Sequence, residues 1–207
     1  MAGPIDAPAG TSLSVPMNQD SARGLAFYKT GLRVSVLAPR GWYCLGIYGS
    51  DGQALLVSPQ PIDITKISSG EPGLVGPVIE ISYIFGDTSG RFEVAEIIAR
   101  VFPGYKAFVD RVNEGFDLTF PSGPYPKDRL TYKSKTMVEY ETSSQTDGLG
   151  TYRLVKKDGG LIDGVAILVG QTPNLVLLKV RLPDDQSKLA SEIVRHVERD
   201  AFAGPGN

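Results

Sequence analysis

The densest apolar stretch of the chain, residues 159–183 (GGLIDGVAILVGQTPNLVLLKVRLP), constrains the fold more than any other. Two runs, 161–169 and 175–182, flank Gln171-Thr172-Pro173-Asn174 and predict a β-hairpin. Val165-Ala166-Ile167-Leu168-Val169 barely alternates, as expected of a strand covered on both faces. In the returning run Leu178, Val180 and Leu182 alternate with Lys179 and Arg181. The hairpin is expected at the middle of a sheet, where its residues serve packing, and function is expected in the loops.

Other elements follow from period and punctuation. Residues 1–24, rich in Ala, Pro, Gly, Ser and Thr, read as an irregular lead, residues 25–202 as an α+β domain and 203–207 as a tail. Alternation predicts strands over 32–36, 42–48, 53–57, 78–85, 130–140 and 151–157, with a hairpin turn at Gly49-Ser50-Asp51-Gly52. Residues 60–77 and 116–127 read as loops and 143–150 as a polar turn. Asp87-Thr88-Ser89 offers a cap for a helix striped by Val94, Ile97, Ile98 and Val101. A shorter helix is expected over 105–112, and a last one after Pro183, striped by Ala190, Ile193, Val194, Val197 and Ala201. Hairpins imply a mainly antiparallel sheet of about seven or eight strands. Single-stripe helices must lie on that sheet, giving an α+β fold with helices on both faces, an α/β/α sandwich.

A strand closing on Pro39-Arg40-Gly41-Trp42, a hairpin, an internal helix, a meander and a helix after Val180-Arg181-Leu182-Pro183 together resemble the PsbP-like fold over residues 28–201. The resemblance implies a binding or interaction module, as in the small exported or lipid-anchored bacterial members of that group. The group has no shared active-site motif to carry over. The N-terminus has neither a basic nor an apolar signal region and resembles the start of a mature exported protein. The expected location is periplasmic or extracellular if a signal peptide was removed, and cytoplasmic otherwise. A lipid anchor ahead of residue 1 is left open.

Composition excludes more than it assigns. Net charge is −2, spread evenly enough that neither nucleic acid nor an anionic membrane is an expected partner. No run approaches the roughly 18 apolar residues of a membrane span. Cys44, the single cysteine, forbids an intrachain disulfide and reads as a buried structural thiol. The one histidine, His196, reads as a surface or boundary residue, and no Gly-x-Ser-x-Gly elbow accompanies it. One His and one Cys build no soft-ligand metal site. Residues 86–91 lack the Gly-Lys-Ser/Thr ending of a phosphate loop, so they read as an ordinary helix start. No pair of carboxylates shares an apparent apolar setting. No catalytic residue, metal or cofactor is therefore assigned.

Candidate contact residues remain. Arg40, Trp42 and Tyr43 form one turn; Phe120, Tyr125 and Lys127 lie in a proline-stiffened aromatic loop, which binds with little loss of entropy. Arg129, Lys133 and Lys135 line the outward face of the strand taken over 128–141 and would meet Lys156-Lys157 if that strand paired with 151–157, attracting an acidic partner. Ring packing for the aromatics and a solvated strand face for the bases are the plainer accounts. The expected function is a non-enzymatic binding or protein-interaction module of an exported bacterial protein, with protein as the partner and the oligomeric state open. The alternatives are a small hydrolase or ligand-binding enzyme with a carboxylate-lined cleft, and a dedicated chaperone or inhibitor of another secreted protein.

Overall fold

A computed structural model describes residues 3–5, 17, 19–30, 34–68 and 73–202. In chain order the elements are β1 (Gly3–Ile5), α1 (Gln19–Gly24), β2 (Leu25–Lys29), β3 (Ser35–Pro39), β4 (Tyr43–Tyr48), β5 (Gly52–Ser58), α2 (Ile64–Ser68), β6 (Val78–Ile84), α3 (Arg91–Val101), α4 (Lys106–Phe116), β7 (Asp128–Tyr132), β8 (Met137–Thr142), β9 (Ile162–Val169), β10 (Asn174–Arg181) and α5 (Ala190–Phe202). Eight strands form one antiparallel sheet in the order β1-β4-β5-β6-β10-β9-β8-β7, and β2 pairs with β3 in a separate ribbon. The hairpin β9–β10 lies beside β6 in the middle, Leu178 facing Val165 on one side and Ile81 on the other.

Helices cover both faces, as the single apolar stripes require. On one face α5, through Ile193, Val194 and Val197, and the ribbon, through Val36 and Ala38, close over Ile79, Ile81, Val165, Ile167, Leu178 and Val180. On the other face α3 and α4 cover Ile84, Val138, Ala166, Leu168, Leu175 and Leu177. The rest of that second face carries Glu80, Ser82, Lys179 and Arg181, all buried. It is covered by irregular chain, residues 73–76 and 149–160, through a small cluster of Leu74, Val78, Val155 and Ile162.

Several expectations need correction. The single strand over 130–140 is two, β7 and β8, because Ser134 and Thr136 hydrogen-bond each other's side chains and their own turn, where Lys133 N–H also donates to the Met137 carbonyl. The strand over 151–157 does not form: a 3-10 turn occupies Leu149–Thr151, Arg153 adopts a left-handed φ of 61°, and a lone parallel bridge joins Val155 to Leu74. Consequently β8 pairs with β7 and β9, and Lys156-Lys157 lie on no strand. The lead expected over 1–24 contains β1 and α1, and its other residues, apart from Met17, lie outside the described residues, as does the tail 203–207. The strand expected over 32–36 is shifted to β3, with residues 31–33 outside the description, and β2 went unanticipated. Loop 60–77 includes the short helix α2. The second helix runs on to Phe116, and α5 is preceded by a 3-10 segment, Asp184–Leu189. Cys44 is exposed, not buried: it lies on β4, second from the edge of the sheet beside the three-residue β1. His196 is buried, its ring edge-on to Phe27 at 5.8 Å.

Candidate ligand-binding site

Two glycines bring the site together. Gly52, at φ 156°, begins β5, and a Cβ there would stand 2.3 Å from the Tyr83 carbonyl; a Cβ on Gly90 would stand 2.3 Å from the Asp51 carbonyl. Only glycine permits both approaches. They seat the β4–β5 turn against the end of β6 and the start of α3, with Phe85 N–H donating to the Asp51 carbonyl at 2.9 Å. The expected side-chain cap on α3 is accordingly not made: Gly90 is the cap residue, and Thr88 Oγ1 accepts from its N–H at 3.3 Å.

Beside this junction lies a cleft of about 200 Å³. Ile47, Ile67, Ile84 and Leu154 give it apolar walls, Glu80, Ser82 and Glu93 supply buried polar groups, and Asp51 and Arg153 stand more exposed. Arg153 Nη1 bridges two carboxylates, Glu93 Oε2 at 2.7 Å and Asp51 Oδ2 at 3.3 Å. Its left-handed backbone is the strained kind of conformation that surrounding contacts must hold in place. Behind Glu93, Lys179 Nζ donates to Glu80 Oε2 at 3.1 Å and to the Tyr152 carbonyl at 2.5 Å, while Ser82 Oγ donates to Glu80 Oε1 at 3.1 Å. Tyr152 OH donates to Glu96 Oε2 at 2.8 Å. Burial pushes the Glu93 carboxyl up to about 7; Arg153 and Lys179 oppose the rise, and Glu80 and Asp51 add to it. Burial, with Glu93 and Glu96 nearby, raises the Tyr152 phenol, so it stays a neutral donor.

Arg181 plays a different part on the same face. Its guanidinium donates to the carbonyls of Gly76 (2.6 Å), Lys156 (2.7 Å) and Leu74 (3.1 Å) and pairs with Asp158 at 3.1 Å. It fastens the two irregular segments to the sheet and to each other.

The residues singled out by sequence are scattered. Arg40 donates to the carbonyls of Ala22 and Arg23, holding α1. Trp42 is half-buried against the α5-side core, and its carbonyl accepts from Tyr28 OH at 3.1 Å; Tyr43 is exposed. Phe120 and Tyr125 pack against the α3–α4 core, and the Arg100 guanidinium stacks 4.3 Å from the Tyr125 ring centre. Lys127 and Lys135 are exposed. Arg129 and Lys133 line a channel of about 430 Å³ beside α5, but each is neutralised across the hairpin, by Glu141 and Glu139 respectively. Such exposed pairs are screened by solvent and add little to stability, and no basic patch with Lys156-Lys157 results.

The site therefore rests on residues the sequence did not single out: Glu80, Glu93, Arg153 and Lys179. Among the described residues no group of three or more His, Cys, Asp or Glu side chains is placed to hold a metal ion, and no helix is long and apolar enough to cross a membrane. No protein-family model, curated protein or solved structure matches the chain. Fold and site together define an α+β protein with an antiparallel sheet between helices and a small, charged cleft at one end of the α3-covered face.

Proposed function

We propose that this protein is a non-catalytic binding module that holds a small ligand in the cleft beside Arg153. The observation that supports this is Glu93: a carboxyl only 5% exposed, facing a cavity and reached by a guanidinium from a strained loop. Perturbed, buried ionisable groups that border a cleft gather at functional sites. The cleft holds no nucleophile activated by a base: Ser82 hydrogen-bonds a carboxylate that is already committed to Lys179. Binding without chemistry is therefore favoured, in keeping with the PsbP-like resemblance in element order.

The test uses three four-carbon probes, n-butanol, n-butylamine and butyrate, with methyl-labelled protein. At least one should shift the Ile47 and Ile84 methyl resonances in the wild type. None should do so in Ala54→Leu, which fills the cleft from β5. Identical responses in the two proteins, or no response in the wild type, would remove the cleft as a binding site.

A further inference from the structure

The charges around the cleft narrow the class of ligand. Three carboxyl groups line it, those of Asp51, Glu80 and Glu93, against one cation, Arg153. Lys179 stands behind them and is spent, its ammonium held by Glu80 and the Tyr152 carbonyl. Arg153 is shared, one nitrogen serving both Asp51 and Glu93. With every carboxyl ionised, these five side chains carry one negative charge in excess in a setting that penalises unpaired charge. The apolar walls from Ile47, Ile67, Ile84 and Leu154 suit a short hydrocarbon stem, and a cavity of about 200 Å³ admits only a small one.

We propose that the ligand presents a primary ammonium on a short alkyl stem, the ammonium meeting Glu93 and Asp51 and the stem lying against the isoleucines. This rests on the cleft being the binding site. The source of the group is a free amine or a lysine side chain, and the two share this chemistry. Without ligand, Glu93 keeps its proton up to about pH 7 because burial outweighs Arg153 and Lys179, with Glu80 and Asp51 adding repulsion and the Tyr152 phenol remaining neutral. An arriving ammonium supplies the missing charge, Glu93 releases its proton to solvent, and the carboxylate accepts the ammonium's hydrogen bond.

Binding of n-butylamine to the intact protein, followed at the Ile47 and Ile84 methyls, should be roughly tenfold tighter at pH 8 than at pH 6, since a carboxyl of about 7 must ionise first. Calorimetry at pH 6 in two buffers of different ionisation enthalpy should show about one proton released per ligand. Glu93→Gln should weaken binding and flatten the pH dependence. Nα-acetyl-lysine N-methylamide separates the sources: binding equal to butylamine points to a peptide lysine, and failure beside a binding butylamine points to a free amine. If butyrate or n-butanol binds and butylamine does not, the cation assignment is overturned while the cleft survives. Butylamine affinity unchanged between pH 6 and pH 8 overturns it as well. If no probe binds in the wild type, the cleft itself is wrong.

Discussion

The two faces of the sheet are buried by different means. Under α5 and the β2–β3 ribbon the central strands bury hydrocarbon, Ile79, Ile81, Val165, Ile167, Val176, Leu178 and Val180, and carboxylates (Asp163, Glu139, Glu141) enter only at the open channel beside α5. On the opposite face β10 presents Leu175 and Leu177 to α3 and α4, then Lys179 and Arg181 to irregular chain. A helix satisfies its own backbone and offers an apolar stripe, so hydrocarbon suffices beneath it. Irregular chain brings carbonyls without partners, and burying them requires donors. Lys179 and Arg181 supply these, reaching the carbonyls of Tyr152, Gly76, Lys156 and Leu74. On this face of the sheet the strands bury charge where regular structure stops covering them, and the cleft opens at that boundary.

Substitutions on the two faces should therefore differ in kind. Ile167→Asp places an unpaired carboxylate in the hydrocarbon face, and the chain should not fold, because the penalty rivals the whole stability of a typical domain. A soluble variant with a cooperative melt would show that this face is not the closed core. Lys179→Ala leaves Glu80 buried without its partner and should cost about 3–5 kcal/mol in denaturant titration. The double change Glu80→Met with Lys179→Met should recover part of that, since an apolar pair carries no unpaired charge, the remainder being the Tyr152 carbonyl left without its donor. If the double variant is no more stable than the single one, the pair does more than balance charge.

Glu93 gives the cleft a pH dependence of its own. The Glu93 carboxyl titrates at about 7 in the fold against an ordinary 4.5. Below pH 4.5 it is protonated whether or not the chain is folded. Between pH 4.5 and 7 the unfolded chain ionises while the folded one keeps its proton, so stability is lost as pH rises through this window, on the order of 3 kcal/mol in all. Urea midpoints measured across that range should fall in the wild type and fall less in Glu93→Gln; parallel profiles would mean that Glu93 ionises normally. The smallest effect is expected at Trp42, half-buried at the rim of the α5 face, where Trp42→Ala should cost about 1–2 kcal/mol. A loss as large as that of a fully buried ring would move Trp42 into the core.

How much was legible follows the same division. The hairpin β9–β10, the strand β6 and the stripes of α3 and α5 could be read because each element's pattern reports the face it buries. Strand 130–140 was misread because alternation continues unbroken through its turn; Ser134 and Thr136 turn the chain by hydrogen bonding, which leaves no mark on the period. Glu80 and Lys179 did leave a signal. Charges within strands at the centre of a sheet covered on both sides have no wet face to reach, so they had to be buried together. Arg153 left none, since nothing local distinguishes a loop arginine that reaches α3 and the β4–β5 turn.

The sequence by itself determined the hairpin β9–β10, the strand β6 and the apolar stripes of α3 and α5, because hydrophobic period is a local property and burial follows it. Only the tertiary structure decided the neighbours. Lys179 finds Glu80 from 99 positions away in the chain, and Arg153 finds Asp51 from 102. The cleft exists because the antiparallel order sets β10 against β6 and two glycines let the β4–β5 turn settle on α3. Charge pairing over such separations depends on which backbones meet, and that is fixed by the packing of the whole sheet.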